Sequence, residues 1–334
     1  MRINYGTLVR IVLVVAFCII PVTGWCATEW KLAHKMSPDS IEGKAYQLFA
    51  DQVGKLSNGK MKMTVYHSEQ LGAVGASLDM VRKGTLQMYI EGIGYAHPFV
   101  PQLYYCSIPF VYRDRAHMLK FMKSEMVKKW QEELTKKSGL DILGEYGPFV
   151  RGPYRVLVSK RPILTLADLK GLKLRMYKNE MVMNLWKELG ANITYIAWTE
   201  VYDGLKRGLI EAVTSPIALV ESMHFQEVAK YLLHNDEYPA SIAFFVNHTA
   251  YQKLPNDLKS VLLKAYDASC KYSQEMTEKA AEESIEKMIK KDKITFIRAP
   301  MDDWWAKAGP ILKKWESERK YGLTPGVLDY INGL

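Results

Sequence analysis

The spacing of hydrophobic side chains along this chain changes repeatedly between two periods, and each period predicts a different kind of element. Residues 61–66, MKMTVY, alternate apolar and polar side chains, as a half-buried strand does. Residues 40–56 instead repeat apolar side chains every three or four positions, which is typical of an amphipathic helix. Because the Asn58-Gly59 pair between them favours a tight turn, the segment predicts a helix, a turn and a strand in succession.

Strand and helix patterns of this kind alternate through the first half of the chain. In order, they predict a strand at 30–34, a helix at 40–56, a strand at 61–66, a helix at 78–83 and a strand at 86–91. A βαβαβ order is the unit of an open sheet with helices on its faces. The expected fold class is therefore α/β.

The same organisation begins again after Gly152. Strands are predicted near 154–159, 172–177 and 211–216, and helices over 180–189 and 200–207. A β-rich run near 237–247 could return the chain to the first unit, and 257–291 forms one long helical tract. Two copies of α/β organisation imply two domains, with the crevice between them as the expected ligand site.

Two arginines twenty positions apart, Arg155 and Arg175, lie in predicted strands of the second unit, and Thr165 can cap a short helix between them. Apolar side chains fall on alternate positions of residues 172–176, so Arg175 leaves the apolar face of its strand. A guanidinium presents a fixed fork of donors that matches a carboxylate and suits binding of an organic anion. The alternative is that both arginines form surface salt bridges, and spacing alone favours that interpretation.

The first 27 residues have the pattern of a secretory signal peptide. Arg2 and Arg10 give a positive start, residues 11–20 are an apolar run of ten, and Pro21 follows it. Ten apolar residues are too few to span a bilayer. We therefore expect this signal peptide to be removed by cleavage after Gly24 or Ala27, and the mature protein to be soluble and exported.

Two cysteines, Cys106 and Cys270, lie beyond this predicted signal. One pair is not a disulfide framework, even in an oxidising compartment, so two buried thiols are favoured over a bridge. The histidines never fall at zinc-ligand spacing, and no cysteines stand as C-x-x-C. The sequence therefore predicts neither a metal site nor a cofactor.

The formal charge of the 334-residue chain is +9. Its lysines and arginines are spread through helical patterns beside Asp and Glu, as on solvated helix faces, so the excess does not indicate nucleic acid. A mild positive balance does help to attract an anion. Hydrophobic residues make up 48% of the chain, which excludes a disordered protein.

No catalytic motif is present in the sequence. There is no G-x-S-x-G elbow, no P-loop, and no G-x-G-x-x-G between a strand and a helix. Glu91 or Glu200 could act as an acid or a base, but neither is paired with a second group by its spacing. The pattern favours a binding protein over an enzyme, with no catalytic residues.

Several short motifs occur here in an order that matches a known family. They are Gln70-Leu71-Gly72, Ile108-Pro109-Phe110, D-L-K-G-L-K-L-R ending at Arg175, Glu200-Val201-Tyr202, and Leu254-Pro255. On these residues the chain resembles the extracytoplasmic solute-binding subunits of tripartite ATP-independent periplasmic (TRAP) transporters, in the C4-dicarboxylate and sialic-acid binding branch. The resemblance extends over nearly the whole mature chain.

The resemblance implies a two-lobed fold of the periplasmic binding protein type, each lobe a mixed sheet flanked by helices, with a long C-terminal helical tract. The implied segments are lobe I at 28–150, lobe II at 151–236, a return to lobe I with a long inter-lobe helix at 237–280, and a C-terminal segment across lobe II and the body at 281–334.

The function implied is capture of a small organic acid without turnover, followed by delivery to the small and large membrane subunits of a transporter. Two alternatives remain: a periplasmic enzyme that acts on a carboxylate, and a partner that presents its ligand to a sensor receptor. Monomer and dimer both stay open, as do acids from short hydroxy and dicarboxylic acids to sugar and aromatic acids.

Four site residues of lobe II follow from the resemblance. Arg175 corresponds to the family's near-invariant arginine, which forms a two-pronged salt bridge with the ligand carboxylate, and Arg155 to a second arginine on the same ligand. Trp198 stands at a position that is often aromatic and lines the cavity. Ser215 replaces an asparagine that contacts the ligand in many members.

The first-lobe wall is expected to draw on four further residues, which are His34, Lys35, Glu91 and Tyr95. Sialic-acid binders place acidic residues directly after the Leu-Gly pair of the first lobe, whereas this chain has Ala73 and Val74 there. The resemblance therefore disfavours sialic acid as the ligand.

Overall fold

The structure is a computed structural model that describes residues 27–334. Apart from Ala27, the predicted signal peptide at 1–27 lies outside the described residues. Within the described chain, no helix combines the length and the apolar character needed to cross a membrane.

Eleven strands are present among residues 27–334. In chain order they are β1 (Thr28–Ala33), β2 (Met61–Tyr66), β3 (Met88–Glu91), β4 (Leu140–Ile142), β5 (Arg155–Ser159), β6 (Lys173–Met176), β7 (Asn192–Tyr195), β8 (Ala212–Pro216), β9 (Tyr231–His234), β10 (Ala243–Asn247) and β11 (Thr295–Ile297).

The α-helices of the described chain follow the same numbering. They are α1 (Ile41–Leu56), α2 (Val74–Lys83), α3 (Arg115–Met122), α4 (Glu125–Ser138), α5 (Glu180–Leu189), α6 (Val201–Lys206), α7 (Ile217–Val220), α8 (Phe225–Val228), α9 (His248–Gln252), α10 (Asn256–Asp292), α11 (Asp302–Ser317) and α12 (Val327–Asn332). Short 3₁₀ helices lie at Ile93–Ala96, Pro101–Ser107, Leu166–Leu169, Trp198–Glu200 and Lys320–Gly322.

The strands form two separate mixed sheets, each with helices packed on it. The first has the order β2-β1-β3-β10-β4, with β1 parallel to β2 and β3, and β10 antiparallel to β3 and β4. The second has the order β11-β9-β5-β8-β6-β7. We call the halves built on these sheets lobe I and lobe II. The α/β class and the mixed sheets predicted from the sequence are confirmed.

The long helix α10 connects the two lobes. It packs along α1 of lobe I, where the Ser269 hydroxyl donates to the Ala45 carbonyl at 2.7 Å. Further along, it contacts α7 and α8 of lobe II, and the Ser284 hydroxyl donates to Glu221 at 2.9 Å. A single helix therefore braces both halves of the molecule.

Most predicted elements are present, with small shifts at their ends. Helix α2 begins at Val74, four residues before the predicted start, and β3 begins at Met88 instead of residue 86. The strands β4, β7, β9 and β11 were not predicted. They have only three or four residues each, and β4, β7 and β11 are edge strands with partly exposed side chains, so no clear alternation marks them.

Both cysteines beyond the predicted signal are free, buried thiols, as expected. Burial raises the pKa of the Cys270 thiol to about 12, which keeps it protonated at neutral pH. Neither residue takes part in a disulfide.

A glycine after β4 shows how tightly lobe I packs on α10. Gly144 has a φ of +71°, and a Cβ on it would stand 2.5 Å from the buried ring of Tyr266. Gly139 has nearly the same φ, +72°, but a Cβ there would have no neighbour within 4 Å. The two positions therefore separate the cost of backbone strain from the cost of overpacking.

We expect Gly139→Ala to lower the free energy of unfolding by about 1–2 kcal/mol, the cost of the left-handed conformation for an L-residue. Gly144→Ala should lower it by about 1–3 kcal/mol more, because the Tyr266 ring must also move. Urea unfolding of the two variants measures the difference. Equal losses would show that the packing of Tyr266 against residue 144 is not tight.

Candidate functional site

A cleft between the two lobes contains the largest concentration of buried charge in the described chain. Its empty space, including the part open to solvent, is about 640 Å³. The lobe I side is lined by Lys35, Glu91, Tyr95 and Tyr146, and the lobe II side by Arg155, Arg175, Tyr177, Trp198 and Thr214. Six of the eight site residues expected from the sequence thus meet in one place.

The local sequence explains how Arg175 reaches the cleft. Thr165 and Asp168 form a capping box on the 3₁₀ helix before β6, and Gly171 then turns the chain with a φ of +75°. Along β6, Leu174 and Met176 are buried in the core, while the side chain between them points the other way. The predicted orientation of Arg175 is confirmed.

Arg175 is a buried cation without a carboxylate partner. Its side chain is 5% exposed, its Nε donates to the Ile196 carbonyl at 2.9 Å, and its guanidinium carbon lies 5.4 Å from the Trp198 ring centroid. Within residues 27–334, no carboxylate lies within ion-pair distance of it. Burial lowers the pKa of this guanidinium. Its Nη atoms, which no described residue engages, are free to bind an anion.

Arg155 lies in the same cleft in a different electrostatic state. Its Nε donates to Glu237 Oε1 at 2.5 Å, its Nη2 donates to the Thr214 hydroxyl at 3.0 Å, and the Tyr238 ring centroid is 4.7 Å away. Burial lowers its pKa, but the Glu237 carboxylate more than compensates, and the net shift is upward. The charge of Arg155 is therefore already neutralised inside the protein.

The lobe I wall carries a compact network of four charged side chains. Glu91 lies 2.8 Å from Lys35 Nζ through one oxygen and 2.7 Å from Arg151 Nη1 through the other. Arg151 Nε also lies 2.9 Å from Glu42, which accepts a hydrogen bond from the Tyr46 hydroxyl at 2.9 Å. Two cations thus face two carboxylates, and the network is balanced internally.

The pKa values of this network follow from burial and from the neighbouring charges. Burial alone would raise the pKa of Glu91, but Arg151 and Lys35 outweigh it and hold the pKa at about 2. Burial raises the pKa of Glu42 and lowers that of Lys35. Glu91 is therefore ionised throughout the neutral range and is not poised to exchange a proton.

Aromatic rings from both lobes meet across the cleft. Tyr95 of lobe I and Tyr177 of lobe II have ring centroids 5.5 Å apart. Lys35 Nζ lies 5.3 Å from the Tyr95 ring and 5.8 Å from the Trp198 ring of the opposite lobe. The two lobes are therefore in direct contact around the Arg175 guanidinium.

Two of the expected site residues do not line the cleft. Ser215 is not among the residues that line it: its neighbours Thr214 and Pro216 occupy the cleft wall, while its own hydroxyl is fully buried and donates to the Pro216 carbonyl at 2.9 Å. Arg155 pairs with Pro216 across β5 and β8, so Ser215 lies on the face of the sheet opposite Arg155 and Thr214.

His34 is also placed away from the cleft. It is fully buried between the rings of Tyr46 and His67, at centroid distances of 4.6 and 4.7 Å, and its Nδ1 accepts from the Met36 backbone N–H. Burial lowers its pKa to about 3, so the ring is neutral. It supports the wall behind Lys35 and does not contact the cleft.

Three charged residues of the site were missed from the sequence: Glu42, Arg151 and Glu237. Glu42 carried a usable signal, because it stands three positions before Ala45 on the apolar face of the predicted helix. Arg151 and Glu237 lie in irregular segments where no periodicity assigns a direction to the side chain.

Within residues 27–334, no group of three or more His, Cys, Asp and Glu side chains is arranged to hold a metal ion. Glu200, the other acid considered as a catalytic group, is exposed and does not line the cleft. The arrangement therefore suits the binding of an anion at Arg175 better than proton transfer.

Comparison with known proteins agrees with this arrangement. The sequence profile of the family described as bacterial extracellular solute-binding protein, family 7, matches residues 32–318. The chain is 26% identical over 262 residues to the 2,3-diketo-L-gulonate-binding periplasmic protein YiaO of Escherichia coli, covering 78% of this chain and 79% of that protein. It is 24% identical over 291 residues to the sialic acid-binding periplasmic protein SiaP of Vibrio cholerae, covering 87% and 89% respectively.

The fold is also found among solved structures. A TRAP periplasmic solute binding protein from Ochrobacterium anthropi, determined with bound L-fuconate, superposes with a TM-score of 0.83 at 28% identity, covering 92% of this chain and 99% of that chain. The two-lobed fold expected from the resemblance is thus confirmed.

The buried network around Glu91 should give stability that depends on pH. The pKa of Glu91 is about 2 in the folded protein and near 4.5 in the unfolded chain. A folded-state pKa below the unfolded one contributes stability that is present above pH 4.5 and is lost as the pH falls toward 2. The shift corresponds to about 3 kcal/mol.

We therefore expect Glu91→Gln to lower the free energy of unfolding by about 3 kcal/mol at pH 7, because it leaves buried Lys35 without a carboxylate partner and Arg151 with Glu42 alone. The difference in the free energy of unfolding between the wild type and the variant should decrease between pH 4.5 and pH 2, where wild-type Glu91 becomes protonated. Urea unfolding at pH 7 and pH 3 measures both values, with Glu200→Gln as the exposed control. If the difference in the free energy of unfolding is the same at pH 3 as at pH 7, the ionised Glu91 carboxylate is not its cause.

Proposed function

Because this chain belongs to the bacterial extracellular solute-binding proteins of family 7, which include TRAP periplasmic solute-binding proteins, we propose that it captures a small organic carboxylate between its two lobes. The acid is then delivered to the small and large membrane subunits of a TRAP transporter. The observation that carries the proposal is the Arg175 guanidinium, buried in the inter-lobe cleft without a carboxylate partner.

In this mechanism the ligand carboxylate replaces the missing partner of Arg175. Its two oxygens accept two parallel hydrogen bonds from the guanidinium, a geometry that a planar fork favours. The Trp198 ring holds the guanidinium from one side and limits its movement. Exclusion of water as the lobes close around the ligand strengthens these charge-assisted bonds.

We propose a sugar acid as the class of ligand. The relatives from Escherichia coli and Ochrobacterium anthropi bind 2,3-diketo-L-gulonate and L-fuconate, which carry one carboxylate and several hydroxyl groups. The tyrosines 95, 177 and 238 lining this cleft offer hydroxyl groups and ring faces for such a skeleton. Sialic acid fits less well, because Ala73 and Val74 line the adjoining space without a polar group in their side chains.

The protein is proposed to act in the periplasm and not to turn over its ligand. Export is supported by the signal pattern of residues 1–27 and by the family. A binding role is supported by Glu91, whose ion pairs with Lys35 and Arg151 keep it from acting as an acid or a base near neutral pH. Incubation of the protein with each acid that it binds should return the acid unchanged.

Replacement of Arg175 should abolish tight binding. Hydrogen bonds to a charged group contribute about 1.5–3 kcal/mol each, so loss of the pair should weaken binding by about two to four decades at 1.4 kcal/mol per decade. Arg175→Lys should bind nearly as poorly as Arg175→Ala, because an ammonium group cannot reproduce the fork.

The measurement is isothermal calorimetry with the acid that gives the largest thermal shift in a screen of aldonates, uronates and shorter organic acids. Arg207→Lys, an exposed substitution on lobe II, serves as the matched control and should keep the wild-type affinity. Binding by Arg175→Lys within a few-fold of the wild type would contradict the proposed role of the guanidinium.

A further inference from the structure

We propose that the cleft selects ligands with a single negative charge, and that Glu237 sets this selectivity by occupying Arg155. The proposal rests on the proposed function, since it assumes that the cleft binds an organic acid. It narrows the substrate class to monocarboxylates and excludes dicarboxylates and phosphate esters as preferred ligands.

Four cations line the inner cleft, and three of them already have carboxylate partners. Lys35 is paired with Glu91, and Arg151 lies within 3 Å of both Glu91 and Glu42. Arg155 is paired with Glu237. Within residues 27–334, the cleft therefore offers one uncompensated guanidinium, that of Arg175. Four positively charged side chains line the cleft, but only one of them is available to pair with a ligand anion.

Glu237 is a fixed part of the protein and not a mobile side chain that a ligand could displace. It is 1% exposed, and its backbone carbonyl accepts a hydrogen bond from the Phe110 N–H at 2.6 Å. Its carboxylate faces Arg155 Nε, while the same guanidinium donates to Thr214 and lies against Tyr238. Displacement of Glu237 would leave its own charge buried without a partner, which costs several kcal/mol.

A second anionic group on the ligand would therefore be desolvated without a countercharge. On the lobe I wall it would meet the Glu91 carboxylate, which Lys35 and Arg151 already engage. The remaining nearby cation, Lys178, is exposed at the adjoining opening, where its ammonium group is hydrated. A monocarboxylate with a neutral hydroxylated or apolar body avoids this cost.

The inference is tested with pairs of acids that share a skeleton and differ by one carboxylate. Suitable pairs are gluconate and glucarate, galactonate and galactarate, lactate and malate, and butanoate and succinate. For the wild-type protein we expect the monocarboxylate of the best-binding pair to bind at least about tenfold more tightly than its dicarboxylate, a difference of 1.4 kcal/mol. Calorimetry at constant pH and ionic strength gives both affinities.

Glu237→Gln tests the assigned residue. The amide keeps the shape of the side chain and an oxygen that can accept from Arg155 Nε, but it leaves the Arg155 charge uncompensated. The ratio of dicarboxylate to monocarboxylate affinity should then rise at least about tenfold, since a second cation becomes available. Glu188→Gln changes the net charge equally from an exposed position on α5 and should leave the ratio unchanged.

The outcomes separate this inference from the proposed function. If no acid in the series binds, the proposed function fails and the inference fails with it. If acids bind but the wild type accepts dicarboxylates as tightly as their monocarboxylate partners, only the inference is overturned. This wild-type comparison remains decisive even if Glu237→Gln does not fold. A preference for monocarboxylates that Glu237→Gln leaves unchanged would overturn the role of Glu237.

Discussion

A guanidinium held almost entirely out of solvent with no carboxylate beside it is the constraint on which this structure depends. Transfer of a charge from water to the protein interior costs several kcal/mol unless a partner compensates it. Arg175 has only the Ile196 carbonyl and the face of Trp198 as partners among the described residues. The folded protein therefore retains an electrostatic penalty that a bound anion relieves, so ligand binding and stability of the closed cleft are coupled.

The other charges near Arg175 explain why the electrostatic penalty is confined to this one side chain. Arg151 is tied to Glu91, and Arg155 to Glu237, across sequence separations of 60 and 82 residues. These pairs fix segments that are remote in the chain and leave no cation beside Arg175 free to share its anion. Only one charge in this site is unpaired, so only the carboxylate end of a ligand meets a countercharge. The ligand is therefore bound in one defined orientation.

How much of this could be predicted from the sequence differs between the regular and the irregular parts of the chain. Arg175 was predictable, because it lies in a strand where alternation assigns each side chain to a face. Ser215 was carried over from a family position, and the register of β8 against β5 places it on the face opposite Thr214. Glu237 lies between strands, where no period exists, and only tertiary folding brings it to Arg155.

The contrast between the two arginines shows why residue type alone does not define a binding site. The registers of β5 with β8 and of β6 with β8 place Arg155 and Arg175 on opposite faces of the lobe II sheet, and the two side chains meet only in the cleft at its edge. One is neutralised by a carboxylate from a later segment, and the other is not. The two guanidinium groups therefore fix where anions could bind, whereas the acidic residues that other segments bring beside them decide how many anions bind.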